Sequence, residues 1–183
     1  MSYLVPDSEL SAGGFTSYGS GASNVARINT APTSDTSNGI LASTAGSLTR
    51  CGYGLGNPAV SVNTASDVKI GIICAAEDPL GLGKFDFEFA LYEGGMAGTK
   101  RASVVTSRNI LSTGVFSGTE YTLSGGEKAA VTSWNDVGLV VENITADLAS
   151  GTFYISEIWL EYTESGGGGG TSRRRNLPLM GVG

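Results

Sequence analysis

Lys84-Phe85-Asp86-Phe87-Glu88-Phe89-Ala90-Leu91-Tyr92 is the stretch on which the fold of this chain turns. Phe85, Phe87, Phe89 and Leu91 fall on every second position, and Lys84, Asp86 and Glu88 on the alternate ones. A period of two puts the apolar set on one side of an extended chain and the charges on the other, the pattern of a strand with one face in a core. Just upstream, Val68-Lys69-Ile70-Gly71-Ile72-Ile73-Cys74-Ala75-Ala76 is apolar on both sides, as expected of a central strand covered twice. Glu77 to Gly83 reads as the loop between them, and Glu93-Gly94-Gly95 as the turn that follows.

Working outward, Ala102–Thr106, Val115–Leu123, Gly138–Thr145 and Thr152–Tyr162 read as further strands, the last two joined by Ala146–Gly151. In the last strand Ser156, Ile158, Leu160 and Tyr162 share the expected core face, leaving Glu157, Trp159 and Glu161 outside. Between Leu123 and Gly138 the period changes. Ser124 with Glu127 three residues on has capping-box spacing, and Ala130, Val131 and Trp134 then predict a helix of two to three turns closing one end of a sandwich. Toward the N-terminus, Tyr3-Leu4-Val5, Val25–Asn29, Ile40-Leu41 and Leu48–Leu55 are shorter extended pieces, and Phe15 reads as a plug at the core edge. Charged residues make up only 15% of the chain and Gly is abundant at 28 residues, which favours many short strands over long amphipathic helices. The expectation is an all-β protein: an antiparallel β-sandwich, jelly-roll-like, with one short helix, a body over 1–164 and a flexible C-terminal arm over 165–183.

That arm is Ser165, five glycines (166–170), Thr171-Ser172, then Arg173, Arg174, Arg175, and Asn176 to Gly183. Consecutive glycines neither pack nor hold a helix, so the run reads as a spacer with a root-mean-square reach of ~14–17 Å over Ser165–Ser172. Beyond it, Arg173, Arg174 and Arg175 offer charge, and Leu177, Leu179, Met180 and Val182 offer apolar groups too few to form a core. The expectation is a docking arm for a partner protein. The formal net charge of −6 supports this, because residues 164–183 carry +2 and leave the preceding 163 residues at −8. An acidic body repels a phosphate backbone, which argues against nucleic acid as a partner.

No apolar run approaches the ~20 residues of a membrane-spanning helix, and Met1 to Asp7 has no basic-then-apolar leader pattern, so a soluble protein that does not cross a membrane is expected. Cys51 and Cys74 lack any CxxC context and read as buried thiols of a reducing compartment; no metal ion or other cofactor is implied.

Three places in this order resemble small structural proteins of tailed bacteriophages. Pro6-Asp7 followed by Gly13-Gly14-Phe15-Thr16 resembles the family's opening, with Phe15 where tryptophan is usual. Ile28 and Asp35 to Ile40 resemble its second stretch, with Asn29 replacing an acidic residue. Tyr121-Thr122-Leu123, Val131 to Leu139 and Ile155 to Glu161 resemble its ending, with the tryptophan, Trp159, two residues later than usual. The resemblance covers residues 5–162. It implies a non-enzymatic virion protein, assembled in the host cytoplasm and anchored by the arm to capsid, neck or tail proteins. General virion symmetry adds the expectation of a homo-oligomer, with a trimer first.

Catalytic readings meet an obstacle, since the chain has no histidine and so lacks the commonest general base and metal ligand. Asp86 and Glu88 stand about 7 Å apart on one strand face, a usable glycosidase spacing, but paired charges on a polar strand face are usually solvated. Glu77-Asp78 beside Asp86 could supply oxygen ligands to Ca²⁺, without the DxDxDG spacing. The competing reading is a carbohydrate-binding module that recognises host-surface glycans. Tyr18, Tyr53, Tyr92 and Trp159 would then serve as glycan or interface aromatics, with Trp134 a further candidate. Flat, exposed and collinear aromatics would favour it; burial would make them core fillers.

Overall fold

The computed structural model describes residues 1–11, 16–18, 39–43, 50–58, 61–77, 80–81, 83–109, 116–146 and 152–165. The expectations for Phe15, Val25–Asn29, Asp78, the Ala146–Gly151 connection beyond Ala146 and the arm beyond Ser165 lie outside them.

The alternation in the phenylalanine stretch does become a strand, Lys84–Glu93, and two antiparallel sheets assemble around it. One sheet runs in the order β2 (Pro6–Ser11), β5 (Arg50–Leu55), β10 (Val137–Ala146), β7 (Lys84–Glu93) and β8 (Thr99–Asn109). The other runs β3 (Thr16–Tyr18), β4 (Gly39–Ser43), β11 (Thr152–Tyr162), β6 (Lys69–Glu77) and β9 (Ser117–Thr122), with β1 (Ser2–Leu4) also pairing with β11. Apart from the β3–β4 and β7–β8 pairs, each strand is followed by one in the opposite sheet, the jelly-roll habit of a closed β-sandwich.

Phe85, Phe87, Phe89 and Leu91 are all fully buried and face Ile70, Ile72 and Cys74 of β6 and Phe153 and Ile155 of β11. Phe153 packs against two of them, with ring centroids 5.6 Å from Phe85 and 5.1 Å from Phe87. Aromatic pairs of this kind add about 0.5–1.5 kcal/mol beyond their burial. As expected for a doubly covered strand, β6 is buried from Ile70 to Ala76. Cys51 and Cys74 are free and buried, and burial pushes both thiols up to about 12.

Two local expectations change. In β11 the register against β6 shifts between Ile155 and Glu157, a bulge that reverses the alternation. Phe153 and Ile155 therefore join Ile158, Leu160 and Tyr162 in the core, and Ser156 sits at the bulge instead of among a continuous inward set. Glu157 is not on a solvated face but wholly buried. The capping box forms as expected: the Ser124 hydroxyl accepts from the Glu127 amide at 3.3 Å and the Glu127 carboxylate accepts from the Ser124 amide at 2.7 Å. The helix it starts, α1 (Gly125–Ala130), is shorter than expected and buries no residue of its own. Val131 is already extended, and the amides of Thr132 and Ser133 are taken by the Glu93 carboxylate instead of by helical carbonyls. Trp134 thus belongs to the loop after α1, packed on the core edge.

Candidate functional site

Three of the four aromatics named as a possible glycan surface are buried. Tyr53 points into the core at 1% exposure, and Trp159 is 3% exposed on the outer side of the β6–β11 sheet, lying across Gly71. Tyr92 lies on the outer side of the opposite sheet, and Tyr18 is placed on β3 at that first sheet's edge. Three of them are therefore buried on three different surfaces, and burial removes the free ring faces that sugar stacking needs. Arg173, Arg174, Arg175, Leu177, Leu179, Met180 and Val182 lie outside the described residues.

Around Tyr92 the outer face of the β7 sheet is a closed ionic network. Register sets Glu142 of β10 opposite both Arg50 of β5 and Glu88 of β7. The Tyr92 hydroxyl donates to Glu142 at 2.9 Å, while Arg50 and Lys100 reach the same carboxylate at 2.9 and 2.6 Å. Lys100 also holds Glu88 at 2.7 Å, and the Arg50 guanidinium covers the Tyr92 ring at 4.6 Å from its centroid. Burial works to lower the Lys100 pKa, but hydrogen bonds to Glu142 and Glu88 outweigh it and raise it. Every charge here is answered by another, and the ring face is occupied.

Asp86 and Glu88 are likewise engaged. Asp86 accepts from the Ser107 hydroxyl at 2.5 Å and from Lys84 at 3.0 Å, and these bonds hold its carboxyl below the ordinary range. A general acid for glycoside hydrolysis has its carboxyl raised instead. Among the described residues no cluster of three or more His, Cys, Asp or Glu could hold a metal ion. Glu77 instead accepts from the Tyr154 hydroxyl at 3.2 Å.

The feature that sequence reading missed is a cleft of about 230 Å³ at the end of the sandwich capped by α1. Four separate segments build it: Asp7, Ser8 and Leu10 of β2; Gly54, Leu55 and Asn57 at the end of β5; Gly95 of the β7–β8 turn; and Asn135 to Gly138 leading into β10. Gly54 and Gly138 are cross-strand partners, and both line it. A Cβ at Gly138 would meet the Tyr53 carbonyl at 2.8 Å and Leu10 Cδ1 at 3.1 Å, and one at Gly54 would collide with the Ser8 hydroxyl. Glycine at these two positions is what lets the Ser8 and Leu10 side chains of β2 and the Tyr53 carbonyl approach this closely.

Glu93, the last residue of β7, holds the far wall. Its backbone pairs with Val137, while its carboxylate accepts from the Thr132 hydroxyl at 2.5 Å, from the Thr132 amide at 3.1 Å and from the Ser133 amide. Arg101 completes the set with two nitrogens at 2.7 Å, and the Gly94 amide donates to the Asp136 carbonyl at 2.9 Å. Burial works to raise the Glu93 pKa, but the bonds from Thr132, Ser133 and Arg101 outweigh it and bring it to about 2. In the sequence Glu93 looked like a turn residue. Its one local signal was an acidic group ahead of Gly94-Gly95, whose positive φ values of 85° and 71° make the turn tight.

No family model matches this chain, and no curated protein matches it. Among solved structures it is similar to the xylan-binding module CBM15 at a TM-score of 0.43 and 13% identity, over 89% of this chain and 97% of that one. It is similar to TmCBM61, solved in complex with β-1,4-galactotriose, at a TM-score of 0.42 and 10% identity, over 71% of this chain and 74% of that one. The enzymatically active domain of tailspike protein 4 from bacteriophage CBA120 is similar at a TM-score of 0.43 and 11% identity, over 85% of this chain and 21% of that one.

Proposed function

We propose that this protein is a non-enzymatic β-sandwich module that binds carbohydrate, with the cleft at the α1 end taking a single sugar ring. The observation that carries the reading is the convergence of Asp7, Ser8, Asn57, Asn135 and Asp136 on one cleft, which the paired glycines Gly54 and Gly138 also line. Sugar rings display neighbouring hydroxyls, each a donor and an acceptor. A carboxylate can accept from two hydroxyls at once, and an amide can both give and take. Leu10 and Leu55 offer an aliphatic wall to the C–H face of such a ring. The lining carries two carboxylates and no Lys or Arg, which favours neutral or amino sugars over uronates.

A single ring of about 12 heavy atoms at ~0.3 kcal/mol per atom gives a Kd on the order of 1 mM, which repeated copies on one scaffold would raise in effect. The test is an NMR titration of ¹⁵N-labelled protein with neutral, amino and uronic saccharides at millimolar concentrations. Shifts confined to the amides of Gly54, Asp136 and Gly138 are expected with the first two classes. If none of the three classes moves those amides, the reading fails.

The second reading is a virion accessory protein of a tailed phage, and the observation favouring it is the ordered resemblance at Tyr121–Leu123, Val131–Leu139 and Ile155–Glu161. The two are compatible, since a glycan-binding body can be carried on a particle by residues 165–183. The Ser165 amide donates to the Ser61 carbonyl at 2.7 Å, so the arm starts from a fixed point on the body. A chain truncated after Glu164 should stay folded and fail to join the particle; normal incorporation would remove the arm from the reading.

A further inference from the structure

We infer that Glu93 is the positioning residue of the cleft: it touches no ligand, and it sets affinity by holding the Thr132–Asp136 wall in place. The inference rests on the carbohydrate reading for its ligand and on geometry for its mechanism. Backbone pairing with Val137 fixes one end of the wall, and the carboxylate bonds to Thr132 and Ser133 fix the other. Between those anchors stand Asn135 and Asp136, both exposed and both lining the cleft. Within that span Asp136 is further held by its amide, which donates to the Ser133 carbonyl at 3.3 Å, and by its carbonyl, which accepts from Gly94 at 2.9 Å.

The same carboxylate takes Arg101 of β8, so the wall is tied across the sheet to an edge strand. Four donor groups on two segments converge on one side chain that is 8% exposed. An exposed loop is otherwise the part of a fold that opens most easily, and an open wall would lose the preorganisation of Asn135 and Asp136. A carboxylate is suited to the role because it accepts several donors at once and pairs with a guanidinium, which a carboxamide of the same shape cannot do.

The experiment compares Glu93→Gln, Glu93→Asp and Thr132→Val with the unaltered protein, using the best-bound saccharide of the titration and amide hydrogen exchange at Gly94, Thr132, Ser133 and Asp136. Gly71→Ala, whose crowding lies on the opposite sheet, serves as a control of comparable destabilisation. Glu93→Gln should weaken binding by about tenfold and speed exchange at those amides by at least as much, the scale of losing a charge-assisted bond. Thr132→Val, which removes one donor, should fall between, and Glu93→Asp should restore part of the loss. Gly71→Ala should leave affinity unchanged.

Unchanged affinity in Glu93→Gln, or equal weakening in Gly71→Ala, would overturn the inference. If no saccharide binds the unaltered protein, the carbohydrate reading fails separately. Exchange at 132–136 then still decides whether Glu93 holds the wall, and unchanged rates overturn it. If Glu93→Gln does not fold, Thr132→Val alone carries the comparison by the same two readouts.

Discussion

Replacing Gly71 by alanine tests how the outer face of the β6–β11 sheet is packed. An ideal Cβ at this position would sit inside contact distance of Trp159 Cζ2 and Cε2 and 2.8 Å from Cη2. Ordinary carbon contacts lie at about 3.5–4.0 Å, so the indole must lift by about 1 Å or more. Trp159 is only 3% exposed and has no open side to move into. Overpacking of this kind costs about 1–3 kcal/mol. At ~2–4 °C per kcal/mol for a chain of this length, the melting temperature should fall by about 2–12 °C.

Thermal and urea unfolding read the loss, and a double-mutant cycle assigns it. With Trp159→Leu already in place the clash is gone, so Gly71→Ala should then cost under about 0.5 kcal/mol, leaving a coupling energy of roughly 0.5–3 kcal/mol. An unaltered midpoint in Gly71→Ala, or the same loss in both backgrounds, would refute the packing described for Trp159.

Gly126→Ala is expected to do the reverse, because nothing lies within 4 Å of a Cβ built there and the residue is helical; up to about 1 kcal/mol of added stability should appear in urea titrations. The Tyr53 hydroxyl is buried with no hydrogen-bond partner among the described residues, so Tyr53→Phe should raise stability by about 1 kcal/mol, seen as a higher unfolding midpoint at an unchanged m-value. The Glu93 carboxyl is depressed from an ordinary 4.5 to about 2. Its contribution is therefore complete above about 4.5 and is lost as pH falls through about 2. The stability gap between the unaltered protein and Glu93→Gln should be constant near neutrality and shrink from pH 4.5 downward; a gap that widens on acidification would contradict the arrangement around that carboxylate.

What was legible in the sequence was local. The alternation from Lys84 to Leu91 is a property of neighbouring residues along one extended segment, and all four apolar members reached the core. The Ser124–Glu127 box closes within three residues, and it formed with both of its bonds. The doubly apolar run from Ile70 to Ala76 announced burial on two sides without reference to any partner. From these pieces an all-β sandwich followed, because many short strands with one or two apolar faces can be covered only by stacking sheets.

What only the tertiary structure decided depends on register and on meetings of distant segments. The bulge at Ser156 is set by how β11 pairs with β6, and no pattern inside β11 announces it. Trp159 is buried because Gly71, 88 positions earlier, supplies the space its ring occupies. Tyr92 lost its ring face to Arg50, and the predicted aromatic set was divided among separate surfaces. The cleft draws on β2, β5, the β7–β8 turn and the start of β10, and its wall is held by a glutamate that looked like part of a turn. Side-chain alternation is fixed by backbone geometry at each residue, whereas cross-strand neighbours are fixed by the free energy of the whole assembled sheet. The first can be read from a sequence and the second emerges only when the sheets close.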